Sequence, residues 1–108
     1  QVYKGVNFTT SDVRLKTNIK DVQRKQIYKS LNISPLRSWN YKKDGTFAIG
    51  RIAQDVRKVF PELVTERNGV LYIDKESLLE LEVEALNLKV QQLTTKLNEL
   101  TNEKFEWQ

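Results

Sequence analysis

The spacing of apolar residues changes character twice along the chain and divides it into three parts. Residues 1–10 alternate irregularly between apolar and polar and predict an extended segment. Residues 11–75 mix short apolar runs with turn signals and predict a compact domain of strands and helices. Residues 76–108 repeat apolar side chains every three or four positions, which predicts one long helix.

Two helices are predicted in the middle part. A loose helical stripe runs through residues 22–33 and stops before Pro35. A second stripe places Val56, Val59 and Phe60 on one face and ends at Pro61, because proline disfavours helix at the residue before it. Each of these helices is therefore bounded by a proline.

Two hairpins are predicted beside these helices. Asp44-Gly45 and Asn68-Gly69 each lie between runs of residues that favour extended backbone. Glycine tolerates positive φ, which the tight turn of a hairpin requires. The fold class expected from these elements is α+β, with short antiparallel strands and helices followed by a long C-terminal helix.

The last part of the chain has the seven-residue repeat of a coiled coil, with charged Glu82, Lys89, Lys96 and Glu103 at the g positions. The seam of the repeat, meaning its a and d positions, consists of Leu79, Val83, Leu86, Val90, Leu93, Leu97, Leu100 and Trp107. An amphipathic helix folded back on its own domain is the alternative interpretation. A second apolar face in the proximal half predicts that this half packs on the mixed domain: Leu78, Leu81, Ala85 and Leu88.

The number of helices in such a coil is left open by the pattern. Branched residues at a with leucine at d favour dimers in simple peptides, so the repeat alone does not specify a trimer. A chain of 108 residues buries only about two thirds of its surface on folding, and oligomerisation is a natural source of further stability.

Composition removes several classes of function. The chain contains no cysteine and no histidine, which excludes disulfides, thiolate zinc sites and cysteine catalysis and removes the commonest general base and metal ligand. We expect no metal and no cofactor. No run of residues approaches the roughly 20 apolar positions of a membrane span, and no signal-peptide pattern opens the chain. Because it begins without Met, we expect a fragment of a longer protein.

The positive charge is modest. The net charge is +4, and the basic residues concentrate in the first sixty positions. A nucleic-acid surface usually has a denser basic stripe interleaved with aromatic residues, so a solvated face is the simpler interpretation and nucleic acid an unlikely partner.

The strongest chemical signal lies in residues 11–16, "SDVRLK". Ser11 or Asp12 fits the N-cap of a helix beginning near Val13, since both residue types favour that position. Capping leaves Lys16 without a role. A Ser–Lys pair, in which the lysine is the base for a serine nucleophile, is a known variant of the Ser–His arrangement and would give it one. Both interpretations are open from the residues alone.

Geometry restricts how the two side chains can meet. Five positions correspond to about 140° around an α-helix, and on a strand to opposite faces. Ser11 and Lys16 can therefore meet only across a turn or between two chains of an oligomer. On this reasoning we expect the pair to form only in the folded, assembled state.

Three motifs in order carry a family resemblance: "SDVRLKTNI", then "AIGRIAQDVRKVFPELV", then "LYIDKESLLELEVEAL". From Ser11 onward the chain resembles the C-terminal intramolecular chaperone domains of phage tail spikes, fibres and neck appendages, the S74 peptidase family. The family often has glutamate at the position of Asp55 and an aromatic or aliphatic residue at that of Arg51. The same domain also occurs in membrane-tethered transcription factors that resemble myelin regulatory factor.

The resemblance implies a function for each part of the chain. Residues 1–10 would be the end of an upstream fibre, residues 11–75 the chaperone domain, and residues 76–108 the helix of a trimeric coiled coil. The homotrimer would template folding of the upstream β-structure in the cytoplasm of an infected bacterium and then excise itself. The alternatives are a non-catalytic trimerisation module and the equivalent auto-processing domain of a membrane-tethered transcription factor. The sequence contains no glycine-rich phosphate-binding loop, so it does not indicate that a nucleotide binds.

The resemblance also implies roles for individual residues. Ser11 would be the nucleophile and Lys16 its general base, with Asp12, Arg14 and Asn18 supporting the motif. Cleavage would fall at Thr10–Ser11, with Ser11–Asp12 as the second choice.

Overall fold

The computed structural model describes residues 2–3 and 6–101 of the chain. It contains three two-stranded antiparallel sheets and three α-helices within those residues. The strands are β1 (Val2–Tyr3), β2 (Val6–Asn7), β3 (Arg37–Asn40), β4 (Phe47–Gly50), β5 (Val64–Arg67) and β6 (Val70–Ile73). The helices are α1 (Arg24–Tyr28), α2 (Ala53–Val59) and α3 (Lys75–Thr101). The predicted α+β class is confirmed.

Both predicted hairpins in the mixed domain are present. Strands β3 and β4 pair from Arg37 opposite Gly50 to Asn40 opposite Phe47, and β5 pairs with β6. Asn68 and Gly69 both have positive φ, 52° and 79°, which is the conformation of the tight two-residue turn that asparagine and glycine favour. The turn residues therefore set the register of the strands.

The first helix is shorter than its sequence pattern. Helix α1 ends at Tyr28, and the chain continues as a 3-10 helix over Lys29–Asn32. The buried Ser30 hydroxyl donates a hydrogen bond to the Ile27 carbonyl oxygen at 2.8 Å, which satisfies a polar group inside the core. The second helix, α2, ends before Pro61 as predicted.

The start of helix α3 is fixed by Asp74. Its carboxylate accepts hydrogen bonds from the Ser77 backbone N–H at 3.1 Å and from the Ser77 hydroxyl at 2.7 Å. These bonds lower the pKa of Asp74, the Ser77 hydroxyl contributing most. The capped helix then runs for 27 residues.

The proximal half of α3 provides one wall of the core, as its second apolar face predicts. Leu78 belongs to one buried cluster with Ile33, Val56 and Phe60, while Ala85 and Leu88 form a second cluster with Ile27. Leu81 packs against both clusters. The mixed domain and the proximal half of α3 therefore share one apolar core.

A polar contact strengthens the attachment of α3 to the domain. The Arg51 guanidinium donates to the Glu82 carboxylate at 2.8 Å and to the Ser34 carbonyl oxygen at 2.7 Å. Both charged side chains are largely buried, and the hydrogen bonds compensate the cost of removing them from water. Across the part of the chain that the structure describes, no helix is long and apolar enough to span a membrane.

Replacement of Phe60 by alanine tests the core. Its side chain is fully buried, so Phe60→Ala should lower the free energy of unfolding by about 3–5 kcal/mol. Phe47→Ala is the matched control, since that ring is 61% exposed and its loss should cost under about 1 kcal/mol. Urea denaturation measures both, and equal losses would contradict the assignment of the core.

Candidate active site

Residues 11–16 form one compact turn. Asp12 has extended backbone and caps a 3-10 helix over Val13–Leu15, and its carboxylate accepts a hydrogen bond from the Arg14 backbone N–H at 2.9 Å. Lys16, at the other end, returns to extended backbone. Asp12, rather than Ser11, therefore serves as the cap.

An ion pair closes this turn from the outside. The Arg14 guanidinium donates from Nε and Nη2 to both oxygens of Asp12, with the shortest contact at 2.7 Å. The Arg14 side chain, followed by its backbone N–H, lowers the pKa of Asp12, and Asp12 raises the pKa of Arg14. The carboxylate is thus held ionised and in one orientation.

The turn brings the two candidate catalytic groups together. Lys16 Nζ lies 2.8 Å from Ser11 Oγ, a hydrogen-bond distance at which a proton can pass between the two atoms. Because Asp12 makes the capping bond, the Ser11 hydroxyl is left for the lysine. The capping bond and the contact with Lys16 are therefore made by different residues.

The contact lies within one chain. The expectation that Ser11 and Lys16 meet only after assembly is wrong, because a single 3-10 turn, closed by backbone hydrogen bonds from Leu15 and Lys16, reverses the chain enough to join them. Of the two routes that geometry allowed, the structure uses the turn. Assembly is not needed to bring the two atoms into contact.

Asn18 follows the turn with a φ of 54°, in the left-handed region. Asparagine tolerates this conformation far better than branched residues do. The backbone conformation therefore explains why the motif has asparagine at this position: the chain changes direction here as it leaves the site.

The surroundings of the pair are open to water. Ser11, Lys16 and Thr10 are all exposed, so both bonds considered for cleavage are accessible. The apolar side chains of the same segment are exposed as well, at 65% for Val13, 72% for Leu15 and 63% for Ile19. The segment thus presents apolar groups that its own chain does not cover.

The seam of α3 is also uncovered in the single chain. Every a and d residue from Leu79 to Leu100 is at least 45% exposed, whereas Leu78 and Ala85 on the inner face are buried. Trp107 lies outside the described residues. The helix therefore has two distinct apolar faces.

Two of the four charged g positions make contacts within the chain, and a third, Glu103, lies outside the described residues. Glu82 binds Arg51, and the Lys89 ammonium lies 4.7 Å from the ring centroid of Tyr28. Both contacts are to the helix's own domain, and neither was indicated by the sequence pattern. Among the described residues, no group of side chains could hold a metal ion.

The ionisation of Asp12 gives the turn a pH dependence. The pKa of Asp12 in the folded chain lies below the ordinary value of 3.8. The ionised carboxylate therefore stabilises the turn fully when the pH is above 3.8, and this stabilisation is lost as the pH falls through the lowered pKa. NMR shifts of the Arg14 N–H groups should therefore stay constant at neutral pH and change only in acid. Asp12→Asn should remove this titration, and an Asp12 pKa at or above 3.8 would contradict the contact.

Comparison with known proteins gives one family. The family model for the chaperone of endosialidase, an S74 peptidase family, matches residues 11–65, which is about half of the chain and includes the whole turn described above. No curated protein matches significantly. The match supports a chaperone-type role. The chain belongs to the chaperone of endosialidase family.

Proposed function

We propose that this chain is an intramolecular chaperone that forms a homotrimer, templates folding of an upstream phage tail spike or fibre, and then cuts itself free next to Ser11. The observation that carries the proposal is the 2.8 Å contact of Ser11 Oγ with Lys16 Nζ inside the family-matched region. The proposal therefore has a structural half, the helix seam, and a chemical half, the serine and lysine.

The chemistry begins with proton transfer. Lys16 Nζ takes the proton from the Ser11 hydroxyl while Oγ attacks the Thr10 carbonyl carbon. The bond between the Thr10 carbonyl carbon and the Ser11 nitrogen breaks, and that nitrogen leaves as an amine after receiving a proton. Water then hydrolyses the Thr10–Ser11 ester, which releases the Thr10 carboxylate and restores the hydroxyl.

Ring size favours Thr10–Ser11 as the bond that breaks. Attack by Oγ on the preceding carbonyl closes a five-membered ring, whereas attack on the serine's own carbonyl closes a strained four-membered one. The exposed positions of Thr10 and Ser11 allow water to complete the reaction. Cleavage at Ser11–Asp12 remains the second choice.

The exposed seam of α3 supports assembly. Its apolar a and d side chains match the knobs of a coiled coil, and three joined copies would raise the effective concentration of their upstream chains to about millimolar. Intertwined β-structure has high contact order and folds slowly, so early alignment of chains accelerates it. Removal of the chaperone afterwards would make the fibre kinetically stable.

The partners and place of action follow from this role. The proposed partners are two further copies of the chain and the upstream segment of the same polypeptide. The proposed site of action is the cytoplasm of an infected bacterium during virion assembly, after which the released domain would leave the fibre.

Two substitutions in the full-length parent test the chemical half. Ser11→Ala should leave the precursor uncut, because the nucleophilic oxygen is gone. Lys16→Arg should do the same: it keeps a positive charge beside Ser11, but arginine does not give up its proton. Intact-mass spectrometry of the parent and both variants measures the outcome, with at least a hundredfold loss of cleavage rate expected.

Lys25→Ala is the matched control, since Lys25 is an exposed lysine on α1 away from the turn. It should cleave like the parent. Efficient cutting by Ser11→Ala would remove Ser11 as the nucleophile, and efficient cutting by Lys16→Arg would remove Lys16 as the base. An intact wild-type parent with well-folded fibre would favour the non-catalytic trimerisation module.

A further inference from the structure

A groove of about 810 Å³ runs between helix α3 and the residues that lead into α1. Its apolar lining includes Ile27, Leu81 and Leu88. Three carboxylates line it, from Asp21, Glu80 and Glu84, against the single guanidinium of Arg24. The groove is therefore apolar at its centre and negatively charged at its edge.

The acidic groups on the helix side are available for a partner. Within the described residues, the ion pairs involve neither Glu80 nor Glu84. Both carboxylates are exposed, one turn apart on the same face of α3. An occupant that suits this surface combines apolar side chains with positive charge.

Residues 13–20 of the same sequence have that composition. Val13, Leu15 and Ile19 are each more than 60% exposed. Arg14, Lys16 and Lys20 alternate with them and, after the Asp12 carboxylate that pairs with Arg14 is counted, residues 11–20 carry a net charge of +2. In the single chain this segment stays outside its own groove, since its apolar side chains remain uncovered.

The groove and the seam are adjacent. Val83 lines the groove and is also an a position of the seam, so a helix packed on the seam brings a second chain to the edge of the groove. Rotation about an axis parallel to α3 keeps every residue at the same height along that axis. Asp21 lines the groove of its own chain, and residues 13–20 lead directly into Asp21. In a neighbouring copy these residues therefore lie at the same height along the axis as the groove of the first copy.

The distance between neighbouring helices is within reach. Packed helices lie about 8–10 Å apart. With the turn over residues 11–16 intact, the four residues 17–20 span up to about 13 Å, which is long enough to cross from one copy to the next.

We propose that in the assembly residues 13–20 of one copy occupy the acidic groove of a second copy. This inference rests on the proposed function, since it assumes that the seam joins copies side by side. The apolar side chains of the segment fill the groove, and Lys20, which takes no part in the turn, faces Glu80 and Glu84. Each copy then completes the site of its neighbour.

Docking would change the environment of the catalytic pair without changing its contact. In the single chain, Ser11 and Lys16 are exposed to water. Contacts with the groove would hold the Ser11 hydroxyl and the Thr10–Ser11 bond in one geometry, and fixed geometry accelerates a reaction between neighbouring groups. Occupation of the groove therefore promotes cleavage, which links the chemistry to assembly although the two atoms already touch.

Mixed assemblies of full-length parents test whether the groove acts between copies. One parent carries Ser11→Ala with an intact groove; the other keeps Ser11 but carries Glu80→Lys and Glu84→Lys. Alone, the first should not cleave and the second should cleave at least tenfold more slowly than wild type. Co-expressed, the second chain should be cut again, because its segment can dock on the intact groove of the first.

The other outcomes are equally decisive. A groove variant that cleaves like wild type overturns the inference, and one that stays uncut in mixed assemblies shows that the groove acts within its own chain. Glu66→Lys with Glu99→Lys is the matched control, two exposed acids outside the groove, and it should cleave normally. A wild-type parent that never cleaves contradicts the proposed function instead.

Disulfide trapping gives a result that does not depend on cleavage. This chain contains no cysteine, so Ile19→Cys in one copy of it and Asn87→Cys in another, both with Ser11→Ala, introduce the only thiols. Asn87 lines the groove, and a disulfide requires the two Cα atoms to lie within about 7 Å. Co-expressed chains should form a covalent heterodimer through these residues. Association without this disulfide, or its formation within one chain of the double variant, overturns the proposal.

Discussion

The structure depends on helix α3 having two apolar faces with different tasks. The inner face, with Leu78, Ala85 and Leu88 buried, completes the core of the mixed domain. The outer face is left exposed from Leu79 to Leu100. Because the two faces belong to one rigid helix, the packing of the first fixes the direction in which the second points. Arg51, bound to Glu82, adds a polar constraint on the same rotation.

The candidate active site has a different physical origin. Nothing in the core is needed to bring Ser11 and Lys16 together, because Asp12 caps the turn and Arg14 clamps it. The two candidate groups are thus arranged by local hydrogen bonds in an exposed segment, while the fold supplies the surface beside it. The contact is therefore present in the single chain, whereas the proposed reaction would also depend on what covers the segment.

Much of the fold follows from local signals in the sequence. Asn68-Gly69 specifies its turn through positive φ, Pro61 ends helix α2, and the two periodicities of α3 predict which side is buried. These features depend on neighbours in the chain. The family resemblance likewise depends on short motifs, and the family model matches the region that contains the first two of them.

Other features depend on contacts that spacing cannot reveal. The pairing of Arg51 with Glu82 joins residues 31 positions apart, and the contact of Lys89 with Tyr28 turns a g position towards its own domain. The meeting of Ser11 and Lys16 requires a 3-10 turn, whose geometry differs from the helix and strand that sequence reasoning compared. The acidic groove arises only when α3 and the residues before α1 come together.

The central claim is that the exposed seam joins three copies beside a site already formed in each one. Sedimentation equilibrium of this chain over a wide range of concentrations tests it most directly. The account predicts a mass three times that of the 12.7 kDa chain. A single species of monomer mass at high concentration would contradict it.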